Sequence, residues 1–167
     1  MRSVLQFVRV FALGSWVGSA FYFGAAVAPV AFRVLSSQDQ AGMLVEFTLG
    51  RLHLLGVVAA VLFLLASLIL GMSSEASPKS LIVSSIGVVI MLALTLISQD
   101  VVIRRMTDLR REMVSVVATP LDNPARLEFE RLHGISVDLE GAVLLIGFAS
   151  LFLTVHDPKP KPPASLG

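Results

Sequence analysis

Residues 52–71 read LHLLGVVAAVLFLLASLILG. The stretch carries no charged side chain and, beyond His53, only the hydroxyl of Ser67. About 20 such residues are what an α-helix needs to cross the hydrocarbon layer of a bilayer. Three more runs of the same kind flank it. The first extends from Val10 to Phe32, fenced by Arg9 and Arg33, and the third from Leu81 to Ile97. The fourth, Gly141 to Val155, reaches crossing length only with its polar lead-in. With those margins the spans are 10–32, 52–71, 81–99 and 139–155. The fold class this predicts is all-α, a four-transmembrane-helix bundle forming one domain over 1–156.

Composition agrees. Hydrophobic residues make up 55% of the 167 and charged residues 15%, above and below the shares of an ordinary soluble domain. Four spans in this length leave room for short connectors and no separate soluble domain. A net charge of +1 gives no electrostatic footing for nucleic acid. The absence of cysteine removes disulfides, thiolate metal sites and cysteine nucleophiles together.

The first span has a signal-peptide look, with Arg2 at its start and the small-residue spacing Ala26-Val27-Ala28. Its apolar run exceeds a signal core of roughly 7–15 residues, and Pro29 would follow the cut, so it is expected to stay as helix one. Ser36-Ser37-Gln38-Asp39 has the pattern of a helix start, and nothing from there to Gly71 breaks a helix. Gly71-Met72-Ser73-Ser74-Glu75-Ala76-Ser77-Pro78 reads as a turn. Beyond Ile97, apolar residues keep helical spacing through Met113 with arginines and acids between them, until Thr119-Pro120-Leu121-Asp122-Asn123-Pro124 reverses the chain. Helices two to four are therefore expected to leave the membrane on one side as a charged helical hairpin. The Pro/Lys-rich tail, 157–167, is expected to be disordered.

Antiparallel helices keep register at about 1.5 Å per residue. Counting from the two turns sets Arg51 opposite Asp100, Arg104 and Arg105 opposite Asp138 to Glu140, and Arg110 and Arg111 near Glu128 and Glu130. The expectation is a charge-paired layer where the helices leave the bilayer. Such a layer marks the membrane boundary in ordinary helical proteins. Asp138 and Glu140 nevertheless precede a span that is short without them, and acids drawn toward the membrane plane are functional candidates.

His53 and His133 sit in similar strings, Arg51-Leu52-His53-Leu54 and Arg131-Leu132-His133-Gly134, which raises a bis-histidine haem reading. The register places His53 level with Ser98 and His133 level with Arg110, about 18 Å apart along the bundle, too far to share an iron. No histidine pair has metal-ligand spacing. No metal and no cofactor are expected. In helix one, Gly14 and Gly18 are four apart, with Ser15 and Ser19 beside them and Gly24 beyond. In lipid such small residues let backbones approach closely, within the bundle or against a second chain.

Trp16-Val17-Gly18, Phe23, Ala28-Pro29-Val30-Ala31-Phe32 and Ala41-Gly42, followed by Arg104-Arg105-Met106 and Phe129-Glu130-Arg131-Leu132-His133-Gly134-Ile135-Ser136, resemble the transmembrane protein 205-like family over about Leu13 to Leu153. The resemblance implies a small four-helix membrane protein without an assigned activity; animal members have been linked to platinum-drug resistance.

No catalytic motif stands out, and the chain is not expected to be an enzyme. Two functional classes remain. One is an accessory or scaffold subunit that docks a membrane-protein partner or a second copy through the small-residue stripe. The other is a small oligomeric transporter with Arg51, Asp100, Arg104, Asp138 and Glu140 at its mouth. Substrate handling usually needs polar groups or broken helices near the midplane, and the apolar middles of spans two and three favour the scaffold. Location in a cytoplasmic membrane of bacterial type is expected, with both termini on the inside because Arg2 and Arg9 open the first helix.

Overall fold

The computed structural model describes residues 1–73 and 78–156. Residues 74–77, within the expected turn, and the 157–167 tail lie outside the described residues. Four helices dominate: α1 (Arg2–Val34), α2 (Gln38–Met72), α3 (Lys79–Met113) and α4 (Pro124–Val155). All four are long and apolar enough to span a bilayer, and no strand occurs among the described residues. The protein is a multi-pass membrane protein. Going round the bundle, α1 packs on α2, α2 on α3, α3 on α4 and α4 back on α1.

Local chemistry sets the starts. The Ser37 hydroxyl accepts from the Gln40 amide at 3.4 Å and caps α2. The Asn123 side chain accepts from the Ala125 amide at 2.9 Å, with Pro124 as the first residue of α4. Both satisfy amides that have no partner inside the helix.

Lipid-facing sides are as apolar as the interior. Leu65, Leu68, Ile82, Ile86, Phe148 and Phe152 all point outward. With lipid tails as the alternative neighbour, close packing rather than water exclusion holds the helices together. The midsection core comprises Leu13, Trp16, Ala60, Phe63, Val88, Met91 and Val143, and glycines let it close. A Cβ at Gly56 would lie 2.5 Å from the Trp16 ring, and one at Gly147 would lie 2.6 Å from Val17 and 3.0 Å from Met91. At Gly87 it would collide with the Ser150 hydroxyl.

The stripe expected to do this packing does not. A Cβ at Gly14, Gly18 or Gly24 would meet nothing within 4 Å, while Ser15 and Ser19 are half-buried. The close approaches within the bundle belong to single glycines facing large side chains rather than to the stripe along α1.

Arg9 also differs from its expected place as a fence. It is fully buried, because α1 begins two turns earlier at Arg2 and residue 9 continues the inward row of Leu13, Trp16 and Ala20. Its guanidinium donates to Ser84 Oγ at 2.8 Å and Gln6 Oε1 at 2.9 Å. It also lies 4.8 Å above the Phe63 ring centre, a favourable setting for a cation out of water.

Two wide turns interrupt the helices. Phe23–Val27 winds as a π-helix in which the Ala28 amide donates to Phe23 O. Pro29 lies just beyond; it has no amide to give Ala25 O and its ring crowds that carbonyl, and a local π turn is a common accommodation. The second π segment, Ser98–Ile103, occupies α3 and brings the consecutive residues Val102 and Ile103 both inward.

Candidate functional site

His53 belongs to the inward row of α2 that includes Leu49, Gly56, Ala60, Phe63, Ser67 and Leu70. At 3% exposure it is the one imidazole inside the bundle among the described residues. Its Nδ1 lies 2.8 Å from Gln99 Oε1 on α3, and its Nε2 lies 2.5 Å from Glu140 Oε1 on α4. Three helices thus meet through one ring. With the Gln99 amide as oriented, both neighbours of the ring are oxygens, an arrangement that suits a doubly donating imidazolium beside a carboxylate. Turning that amide over lets its NH2 donate to Nδ1 and leaves a neutral ring donating to Glu140 alone. The same residues accept both states, which differ by one proton.

On the inward side of α3 next to this cluster, the hydroxyls of Thr95 and Ser98 are buried and make no hydrogen bond among the described residues. Buried polar groups in a membrane bundle are costly and mark sites rather than packing.

The charged layer exists, but its partners differ from the register count. Arg105 does reach α4, where it makes a two-point contact with Glu128 at 2.8 and 2.9 Å, not with Asp138 to Glu140. Arg104 turns away and pairs with Asp100 on its own helix at 2.8 Å. Arg51 is exposed and makes no ion pair with Asp100; it lines an outer groove with Gln99 and Arg104. Asp138 is exposed, without an ion pair among the described residues. Arg110 reaches Glu46 on α2 at 3.4 Å and covers the Phe129 ring, while Arg111 pairs with Asp108 on its own helix at 3.1 Å.

The cause is the connector. α3 stops at Met113, Val114 adopts φ 61°, and the chain up to Asn123 crosses the end of the hairpin instead of turning sharply at Pro120. The slip also brings the two histidines nearer in depth than expected. His53 sits level with Glu140, about 10 Å along α4 from His133.

Glu140, whose side chain is 21% exposed, opens into a cavity of about 630 Å³. It forms because α1, past its π turn, leaves α4 and continues along α2. Phe23, Pro29, Phe32, Leu49, Met106 and Phe129 supply apolar walls. Asp39, Glu46, Glu140, Arg110 and His133 supply the charged and titratable edge. Asp39 accepts from the Ser115 hydroxyl at 2.6 Å and the Val116 amide at 3.1 Å, tying the connector across one side. Gly42 permits this edge, since a Cβ there would lie 2.9 Å from the Arg110 guanidinium.

His53 and Glu140 were candidates on sequence grounds; Gln99, Glu46 and the cavity were not. A lone amide at the end of an apolar helix was the available signal for Gln99. The cavity has none, because it arises from the divergence of two helices. Gly24 lines it, whereas Gly14, Ser15, Gly18 and Ser19 do not.

No curated protein and no solved structure matches the chain. A family model does, over residues 11–115, which takes in α1 from Phe11 onward, α2 and α3, and with them His53 and Gln99. The chain belongs to the family described as a domain of unknown function, DUF4149.

Proposed function

We propose that this protein is a non-enzymatic membrane module that binds an amphipathic small molecule, and passes it between membrane and water, through the cavity between α1 and α4. One observation carries the reading. Glu140, held by a buried histidine, opens into an apolar cavity of about 630 Å³, a volume within the range of about 300–1,000 Å³ typical of small-molecule sites. The argument that favoured a scaffold was the apolar middle of spans two and three, and it still holds at that depth. What supports binding is that His53, Gln99 and the π turns of α1 and α3 gather toward the hairpin-side ends of the spans, beside the cavity.

The accessory-subunit reading keeps one supporting feature. Gly14 and Gly18 have open space above them, as a surface for a neighbouring membrane helix would. Kinship with the transmembrane protein 205-like family and an orientation with both termini in the cytoplasm are also part of this proposal.

Native mass spectrometry after gentle detergent extraction separates the two readings. A small molecule retained by the wild type and lost from Gly141→Leu, which projects into the cavity, supports the binding module. A stoichiometric protein partner, with no small molecule retained, supports the accessory subunit.

A further inference from the structure

The chemistry of the cavity edge narrows the ligand, given the binding role proposed above. Three carboxylates, Asp39, Glu46 and Glu140, and one guanidinium, Arg110, line the cavity. Arg110 is engaged by Glu46 and the Phe129 ring. Asp39 accepts only from neutral groups, Ser115 and Val116. Glu140 uses Oε1 for His53. The edge is negative whether His53 is charged or neutral. The Phe23 and Phe32 rings in the lining suit a cation out of water, and the excess of carboxylates over guanidinium disfavours an anion.

His53 adds a second property, because it stands between two concave surfaces. Glu140 belongs to the α1–α4 cavity, whereas Gln99 belongs to an outer groove of about 410 Å³ shared with Arg51, Leu54, Arg104 and Thr107. The charged groups around the pair can be enumerated. From α2 they are Asp39, at the far end of the cavity, Glu46 and Arg51; from α3, Asp100, Arg104 and Arg110; from α4, His133 and Asp138. The stretch of α1 facing the cavity, Ala20 to Phe32, contributes no charged residue.

We infer that the cavity takes an amphipathic monovalent cation, such as an ammonium head on an apolar tail, whose head sits against Glu140 and whose binding expels the Nδ1 proton that His53 holds toward Gln99. Two positive charges on one carboxylate that is only partly exposed to water repel each other. The incoming cation therefore selects the neutral ring. Gln99 turns its NH2 toward Nδ1, and the proton leaves for water through the groove beside Arg51. No bond other than the N–H bond breaks, and charge balances as one cation in and one proton out.

The test uses the full chain in lipid nanodiscs, with dodecyltrimethylammonium as the probe and neutral dodecyldimethylamine N-oxide as its shape match. Protein-free nanodiscs correct for partitioning. Wild-type protein is expected to bind the cation at least about tenfold more tightly than the N-oxide. Its affinity for the cation is expected to rise from about pH 5.5 to about pH 8.5, the interval that brackets an imidazole. Glu140→Gln is expected to abolish the preference while retaining N-oxide binding, and His53→Gln to keep the preference but flatten its pH dependence. Glu128→Gln, on the exposed hairpin, serves as the control that leaves all of these unchanged. Equal binding of the two probes by wild type overturns the cation inference and leaves the binding role standing. A preference that is insensitive to pH, or that survives Glu140→Gln, overturns the proton exchange at this pair. Binding of neither probe overturns the cation inference, and Gly141→Leu with natural membrane extract then decides whether the binding role fails as well.

Discussion

The midsection and the hairpin end of the bundle use the same four helices in opposite ways. In the midsection the helices close on one another until Gly56 touches Trp16 and Gly147 touches Val17 and Met91. At the hairpin end α1 parts from α4, a cavity opens, and charged side chains replace apolar contact. Tight packing needs every helix to stay in phase with its neighbours. The π turns at Phe23–Val27 and Ser98–Ile103 lie between the two regimes and shift that phase. Close packing is concentrated below them and room for a ligand above.

Substitutions at the glycines separate the two regimes most strongly. Gly147→Leu is expected to lower stability by about 3 kcal/mol or more, since the added side chain starts inside the contact distance of Val17 and Met91. Gly24→Ala and Gly14→Ala, with nothing within 4 Å, are expected to stay near the wild-type value. Unfolding of purified variants in mixed micelles measures all three. A Gly147→Leu protein as stable as wild type would remove the distinction.

Next in size is the buried pair. His53→Ala leaves Glu140 without its partner; removing one member of a fully buried pair costs about 3 kcal/mol, and the opening of Glu140 into the cavity makes that an upper value here. Replacing both, as His53→Leu with Glu140→Met, is expected to recover most of that loss while abolishing the cation preference. A double variant no more stable than His53→Ala would show that packing of the ring, not the uncompensated acid, sets the loss.

The smallest effect is expected at the exposed hairpin. Arg105 and Glu128 make good two-point geometry, yet both side chains are largely in water, where such contacts contribute little. Arg105→Ala should leave the unfolding transition unmoved, and raising the salt concentration should have equally little effect. A clear shift would mean that the hairpin end stabilises the bundle more than its exposure implies.

Legibility followed the same division. Spans, turns and the helical continuation through Met113 could be read because each depends on a local run of residues. The depth of His53 could also be counted from the short turn to the residues near Ser98, and Gln99 is its partner. Counting from the other turn failed, because the connector after Val114 and the π turn absorb residues that a straight hairpin would spend on length. Arg9 was misplaced for a related reason, since a charge in an apolar flank reads as a boundary until the neighbouring helices supply Ser84 and Phe63.

By itself the sequence determined that this protein lives in a membrane, with four helices of known extent and a charged hairpin on one side. Crossing length and backbone hydrogen bonding are properties of one segment at a time. Only the tertiary structure decided which acid meets His53, which glycines are needed and where the cavity opens. These depend on the rotation of each helix about its own axis. A helix as apolar toward lipid as toward its neighbours carries no sided pattern to encode that rotation, and close packing of side chains from separate helices settles it instead.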